Sequence, residues 1–363
     1  MASEPTPAPV EGAETEILIR VEGRAGRITL NRPQALNALT YTQIGRICAA
    51  LGAWRGDDAV KLVILDGAGG RALCAGGDVI AMYDSRGDGG AFAERYWRDE
   101  YRMNALIQAY PKPFVALMDG IVMGGGIGLS GHASHRVVTE TSMLAMPETT
   151  IGLIPDVGGT LLLGHAPGRM GEYLGLLGER MSAADAIYTS FADTHVARAS
   201  LDSLIARLVD PAGEPVGVTI SRHALAPVVP VHAARQADID ALFAGETIEV
   251  IHDALAASPV AWAGKAAEAI AKRSPLALKL TLAAIRRARE MRRLEDALAL
   301  EFRLVTRLYR HGEFIEGVRA LLVDKDKAPR WRPASLAEVD GDMIAAFMAD
   351  LPAGADRPFP ETP

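Results

Sequence analysis

Glu148, in Leu144-Ala-Met-Pro-Glu-Thr149, joins a carboxylate to a backbone already restrained by the proline before it. In an apolar cleft such a group has a raised pKa and can serve as general base or nucleophile; in an ordinary turn it is merely solvated. Upstream, Cys74-Ala-Gly-Gly-Asp78 and Met123-Gly-Gly-Gly-Ile-Gly128 supply complementary chemistry. Acyl transfer needs two donors fixed around a carbonyl oxygen as it becomes an oxyanion, and backbone N–H groups are in place before reaction begins. Gly77, ahead of Asp78 and a helix, and Gly125, in the glycine triplet, are the two donors this pattern selects, each backed by a helix N-terminus. Either cluster alone is explained as well by a tight turn needing positive φ. Their combination with the strand Lys112-Pro-Phe-Val-Ala-Leu-Met-Asp-Gly120 carries the weight. Asp156, in Ile154-Pro-Asp-Val-Gly-Gly159, is a second carboxylate, unless it is an ordinary helix N-cap.

Other motifs give less. Gly126-Ile-Gly-Leu-Ser-Gly131 fits the dinucleotide fingerprint G-x-G-x-x-G, but no first-strand fingerprint stands near the N-terminus, and Glu148 lies in a Met-Pro-Glu turn rather than at a strand end. His132 and His135 have H-x-x-H spacing without acidic or cysteine company, which favours surface or capping roles over metal binding. No G-x-S-x-G elbow occurs, so a serine hydrolase triad is disfavoured.

The elements that must position these residues alternate. Glu16–Glu22 and Arg27–Leu30 read as strands, the second ended by Asn31-Arg-Pro33. Residues 40–54 read as a helix with Thr40 as N-cap, Lys61–Leu65 as a buried strand, residues 91–109 as an amphipathic helix and Pro113–Met118 as a further strand. Strand–strand–helix units therefore recur to about residue 205, which predicts an α/β spiral without a detectable sequence repeat. The expected organisation is a disordered tail over 1–15, a core over 16–209, a linker in Asp210–Val218, a mostly helical region over 219–338 and a tail over 339–363. Leu294, Leu298, Phe302, Val305 and Leu308 form one apolar helix stripe, read as core or subunit packing.

Composition excludes several classes. With 49% apolar and 23% charged residues, net charge −7 and pI near 5.7, nothing attracts nucleic acid. The most apolar stretch, Phe114 to Leu129, is interrupted by Asp119 and five glycines, against a membrane span. Cys48 and Cys74 lack redox or metal spacing, and the acidic, Pro-rich start has no basic presequence, so a cytoplasmic location is expected.

The linked motifs resemble the crotonase (enoyl-CoA hydratase/isomerase) superfamily, and Cys74–Val79, Met123–Ser130, Met146–Thr149 and Ile151–Gly159 are similar to its 3-hydroxyisobutyryl-CoA hydrolase branch. Ser274–Lys279, Glu313–Asp326 and Pro329–Pro333 resemble that branch's C-terminal signature, so the likeness spans roughly residues 15–338. It implies a crotonase-type spiral with a helical C-terminal region and hydrolysis of a short 3-hydroxyacyl-CoA in valine breakdown. By position, Gly77 and Gly125 match the oxyanion hole, Glu148 the principal catalytic glutamate, Asp156 the second acidic group and Glu100 a glutamate bordering the substrate. From the residues alone, Glu100 reads as a solvated helix position. Hydratases of the superfamily have a second glutamate where this chain has Gly128, which moves the expected chemistry from hydration to thioester cleavage. Coenzyme A, part of the substrate rather than a separate cofactor, is expected along the backbone of Ala75, Gly76 and Gly124 and near Arg27 or Arg32. A hydratase or isomerase of the same fold and a non-catalytic acyl-CoA-binding subunit are the competing readings, and a homo-oligomer fits the family.

Overall fold

β1 (Ile17–Glu22) and β2 (Ala25–Leu30) form an antiparallel hairpin that opens the larger of two sheets. The chain then alternates between sheets. β3 (Leu62–Gly67), β5 (Phe114–Met118), β7 (His135–Val138) and β9 (Thr194–His195) extend the larger sheet in parallel, in the order β1-β2-β3-β5-β7-β9. β4 (Ala72–Cys74), β6 (Ile121–Met123) and β8 (Met143–Ala145) follow β3, β5 and β7 and build a three-stranded parallel sheet, β4-β6-β8. From β3 to β8 each turn of chain adds one strand to each sheet, which is the spiral expected from the sequence. The repeat is positional and leaves no residue-level echo because buried parallel strands need only an apolar run. The computed structural model describes residues 13–352, 355 and 357–359. Most of the tail expected over residues 1–15 lies outside them, and Ala13–Glu16 form one helical turn.

Helix boundaries follow local chemistry. Thr40 caps Tyr41–Arg55 in a reciprocal box with Gln43, as the N-cap reading anticipates. The helix Ala91–Gln108 lays Trp97, Glu100, Tyr101 and Asn104 on its buried face. The segment read as a linker is tied down: Arg24 donates to the carbonyls of Leu208, Gly213 and Glu214, and Val216–Ser221 is helical. Beyond it the chain is helical, notably Pro275–Ala288, Leu294–His311 and Glu313–Val318. All five residues of the Leu294–Leu308 stripe are buried, in one apolar cluster with the core of the spiral. Among the described residues no helix is long and apolar enough to cross a membrane.

Candidate functional site

Parallel order in the small sheet brings the carboxyl ends of its three strands side by side, the usual place for a site in α/β structures. From β4 emerges Ala75-Gly76-Gly77, from β6 Gly124-Gly125, and from β8 Met146-Pro147-Glu148. These turns line one cleft of about 240 Å³, closed by Trp97, Glu100, Asp156, Val157, Phe314 and Leu322 among others. That is below the 300–1,000 Å³ typical of drug-sized ligands and suits a short acyl group.

Close backbone approach explains the glycines. Gly124 has φ +48°, and a Cβ there would stand 2.9 Å from Glu148 Oε1. A Cβ on Gly125 would stand 2.8 Å from Glu100 Oε1 and 3.0 Å from Gly77 N. The two turns therefore touch, with Gly77 N and Glu100 Oε1 both close against Gly125. Gly125 begins a helix, Gly125–Ser130, so its N–H has no acceptor along that helix. Among the described residues no backbone acceptor takes Gly77 N–H either, while its neighbours Ala75 and Asp78 donate to Leu36 and Leu39.

Glu148 opens the 3-10 turn Glu148–Ile151, and its carbonyl accepts from Gly152 N–H and Leu153 N–H just beyond the turn's end. The helix Glu313–Val318 presses on this turn: a Cβ on Gly317 would meet Ile151 O at 2.3 Å, and one on Gly152 would meet Glu313 O at 2.4 Å. Glu148 and Asp156 are each 5% exposed, and Glu100 only 2%. The reading of Glu100 as solvated is thus corrected: it sits on the buried face of its helix. Among the described residues Oε1 of Glu100 and Oε2 of Glu148 are buried without a hydrogen-bond partner, and Asp156 Oδ2 accepts from Tyr101 Oη at 2.7 Å. Asp156 is no N-cap, because the helix Gly159–Gly164 is capped by Gly158 with no side-chain bond.

Burial pushes all three carboxyls up. Glu148 and Glu100 lie well above the usual carboxylate range through desolvation, then the charge of Asp156. Desolvation raises Asp156 to about 7, and the Tyr101 hydrogen bond opposes it. Groups this close titrate as a set, so near neutrality the cleft holds both a basic carboxylate and a transferable proton.

Arg27 and Arg32 are not brought to the cleft. Arg27 is committed to Asp66 and Glu22 on the large sheet, and Arg32 to Asp78 and the Ala38 carbonyl, so charge pairing within the fold uses both. His132 is also corrected: it is buried, with Nε2 2.8 Å from the Val157 carbonyl. Because a carbonyl only accepts, Nε2 carries the proton, and burial depresses its pKa to about 4. Gly126–Gly131 lies within and just beyond the short helix after β6 in this two-sheet spiral, not in a doubly wound sheet.

Tyr101, Phe314, Leu322 and Glu301 escaped the sequence reading. Glu301 stands three residues after Leu298 and seven after Leu294, hence on the buried stripe of its helix, and an acid on such a stripe is the signal that could have found it.

The family model described as enoyl-CoA hydratase/isomerase matches residues 25–348. The chain belongs to the enoyl-CoA hydratase/isomerase family. Among this member's relatives is the mitochondrial 3-hydroxyisobutyryl-CoA hydrolase of Gallus gallus, 39% identical over 91% of this chain and 87% of that protein. The Danio rerio protein of the same name is 40% identical over 93% and 91%. A solved structure described as a carnitinyl-CoA dehydratase from Mycobacterium thermoresistibile has a TM-score of 0.89 at 45% identity, covering 93% of this chain and 97% of that one. One described as an enoyl-CoA hydratase from Rhodobacter sphaeroides 2.4.1 has a TM-score of 0.87 at 45% identity, covering 93% and 98%.

The names of these relatives divide between thioester hydrolysis and hydration, and Gly128 bears on the choice in this family member. A Cβ there would lie 2.7 Å from Val157 Cβ and 2.9 Å from Asn104 Nδ2, so no side chain fits. Gly128→Glu is expected to lower stability by about 1–3 kcal/mol through overpacking and to add no hydration of crotonyl-CoA. Thermal melts and enoyl absorbance read both, and a variant that hydrates at unchanged melting temperature contradicts the steric argument.

Proposed function

We propose that this chain hydrolyses 3-hydroxyisobutyryl-CoA, or a closely related short 3-hydroxyacyl-CoA, to the free acid and CoA, a step of valine breakdown. The observation that carries it is a single face of touching glycine turns opposed by Glu148, Asp156 and Glu100, with the hydratase's second glutamate position sterically closed at Gly128. The hydrolase names of relatives about 39% identical over most of the chain support the reading.

The thioester oxygen lies between the N–H groups of Gly77 and Gly125, which stabilise it as C–S cleavage proceeds. Glu148 either attacks the carbonyl carbon, giving CoA thiolate and a mixed anhydride that water then opens to the free acid and the Glu148 carboxylate, or removes a proton from a water that attacks the thioester directly. The thiolate takes a proton from the carboxyl set, for which Asp156, at about 7, is well matched. Glu100 borders the acyl group, and the backbone of Ala75, Gly76 and Gly124 faces the thioester end. Coenzyme A enters as part of the substrate, and no separate cofactor is invoked.

Cytoplasmic location and homo-oligomerisation belong to this proposal and are read by cell fractionation and light scattering; the mitochondrial location in the relatives' names is theirs. Reaction in ¹⁸O-water tests the chemistry. Hydrolysis places label in the carboxyl group of released 3-hydroxyisobutyrate. Label on a carbon of a retained CoA thioester contradicts it. Under single turnover, label in the Glu148 peptide with unlabelled acid marks an anhydride opened by water at the Glu148 carbonyl, whereas labelled acid with an unlabelled peptide places water on the acyl carbon.

A further inference from the structure

Asp156 is carried by a turn that its own sequence does not favour. Val157, next along, has φ +53°, a left-handed conformation that a β-branched residue adopts only when its surroundings impose it. Two distant side chains hold the turn. His132 donates to the Val157 carbonyl at 2.8 Å. Glu301, in the helix Leu294–His311, accepts from Gly158 N–H at 2.7 Å, from Thr160 N–H at 2.9 Å and from the Thr160 hydroxyl. Gly158, at φ +80°, is wedged where a Cβ would strike Leu294 Cδ1 at 2.4 Å and His132 Nε2 at 2.5 Å. Glu301 is fully buried and is not among the residues lining the cleft.

We infer that Glu301 is a positioning residue which, opposite His132, clamps the strained Val157 turn and so aims the Asp156 carboxylate into the cleft. The inference rests on the proposed thioester chemistry at Asp156. Three donors converge on one carboxylate, whereas a glutamine offers a single acceptor oxygen and turns an NH2 group toward donors it cannot satisfy. The clamp uses both carboxyl oxygens, Oε2 for Gly158 N–H and Oε1 for the N–H and hydroxyl of Thr160. A role confined to holding the fold together would lower the melting temperature and leave turnover by the folded fraction unchanged. Positioning lowers kcat at unchanged affinity, and its effect depends on the strain it opposes.

The test is a kinetic cycle on the full chain with 3-hydroxyisobutyryl-CoA, using E301Q, V157G and the double variant. E301Q should lose about 10- to 100-fold in kcat, the scale of a roughly 1 Å misplacement, with KM held near wild type. Glycine adopts φ +53° without strain, so in the V157G background the E301Q loss should shrink. A wild-type kcat in E301Q overturns the inference, as does a loss carried by KM alone. It is equally overturned if the two losses combine independently to within about twofold. E301Q is nearly isosteric, so it stays informative even where E301A does not fold. A wild-type protein that releases no CoA defeats the functional reading instead, so the two failures are distinct.

Discussion

Glu148→Gln lowers kcat for CoA release by about 10²–10⁴-fold or more, the scale of losing a positioned base or nucleophile, while acyl-CoA still binds. The amide keeps the shape of the carboxyl, so Gly124 is undisturbed, yet it has no lone pair basic enough to attack a thioester or deprotonate water. Binding is expected to survive because the oxyanion donors are backbone groups of Gly77 and Gly125, which the substitution does not touch. The 3-10 turn should keep its place, held by helix Glu313–Val318 against Ile151 and Gly152. Stopped thiol-release assays and calorimetric titration with acyl-CoA separate the two effects. Activity within a few-fold of wild type removes Glu148 from the reaction.

Asp156→Asn exchanges activity for stability, and the exchange depends on pH. The folded-state pKa of Asp156, about 7, stands above its ordinary value of 3.8. Between these values the native state binds more protons than the unfolded chain, so stability falls as pH rises. The protonated carboxyl is tolerated below pH 4, and the cost of ionising it is complete above pH 7. Raising a carboxyl from 3.8 to about 7 corresponds to roughly 4 kcal/mol at most, shared in practice with Glu148 and Glu100. An asparagine still accepts from Tyr101 and never ionises. D156N should therefore melt several degrees above wild type at pH 8 and close to it at pH 4, with CoA release reduced at both. Scanning calorimetry across this range reads the sign directly, and a D156N melting point below wild type at pH 8 contradicts the buried-charge account. Such a trade of stability for chemistry is expected where several acids share one cleft.

Much of this was legible in residue order. Strand alternation predicted the spiral, because a half-buried hairpin and buried parallel runs leave distinct patterns at Ile17–Leu30 and Leu62–Leu65. Gly77, Gly125 and Glu148 fell in turns after strands, and a parallel sheet gathers such turns at the carboxyl ends of its strands, while Asp156 follows the 3-10 turn Glu148–Ile151. What escaped was long-range. Tyr101 reaches Asp156 across 55 positions and Glu301 reaches Gly158 across 143, and no local rule encodes such a meeting. Glu100 was rescued only by family likeness, since its helix face is read from packing against the cleft rather than from its neighbours. Arg27 and Arg32 lie outside the lining of the cleft because a basic residue at a strand end is satisfied by whichever acid folds beside it, here Asp66 and Asp78. His132 looked like surface because its burial depends on the Val157 carbonyl twenty-five positions away.

The central claim is that this site cleaves a thioester and does not hydrate an alkene. Parallel incubation of the pure protein with 3-hydroxyisobutyryl-CoA and crotonyl-CoA, following free thiol and enoyl absorbance together, tests it most directly. Thiol release from the hydroxyacyl substrate is expected, with enoyl absorbance of crotonyl-CoA unchanged. Loss of enoyl absorbance without thiol release from either substrate would contradict it and make this a hydratase working with Gly128 where a second glutamate is needed.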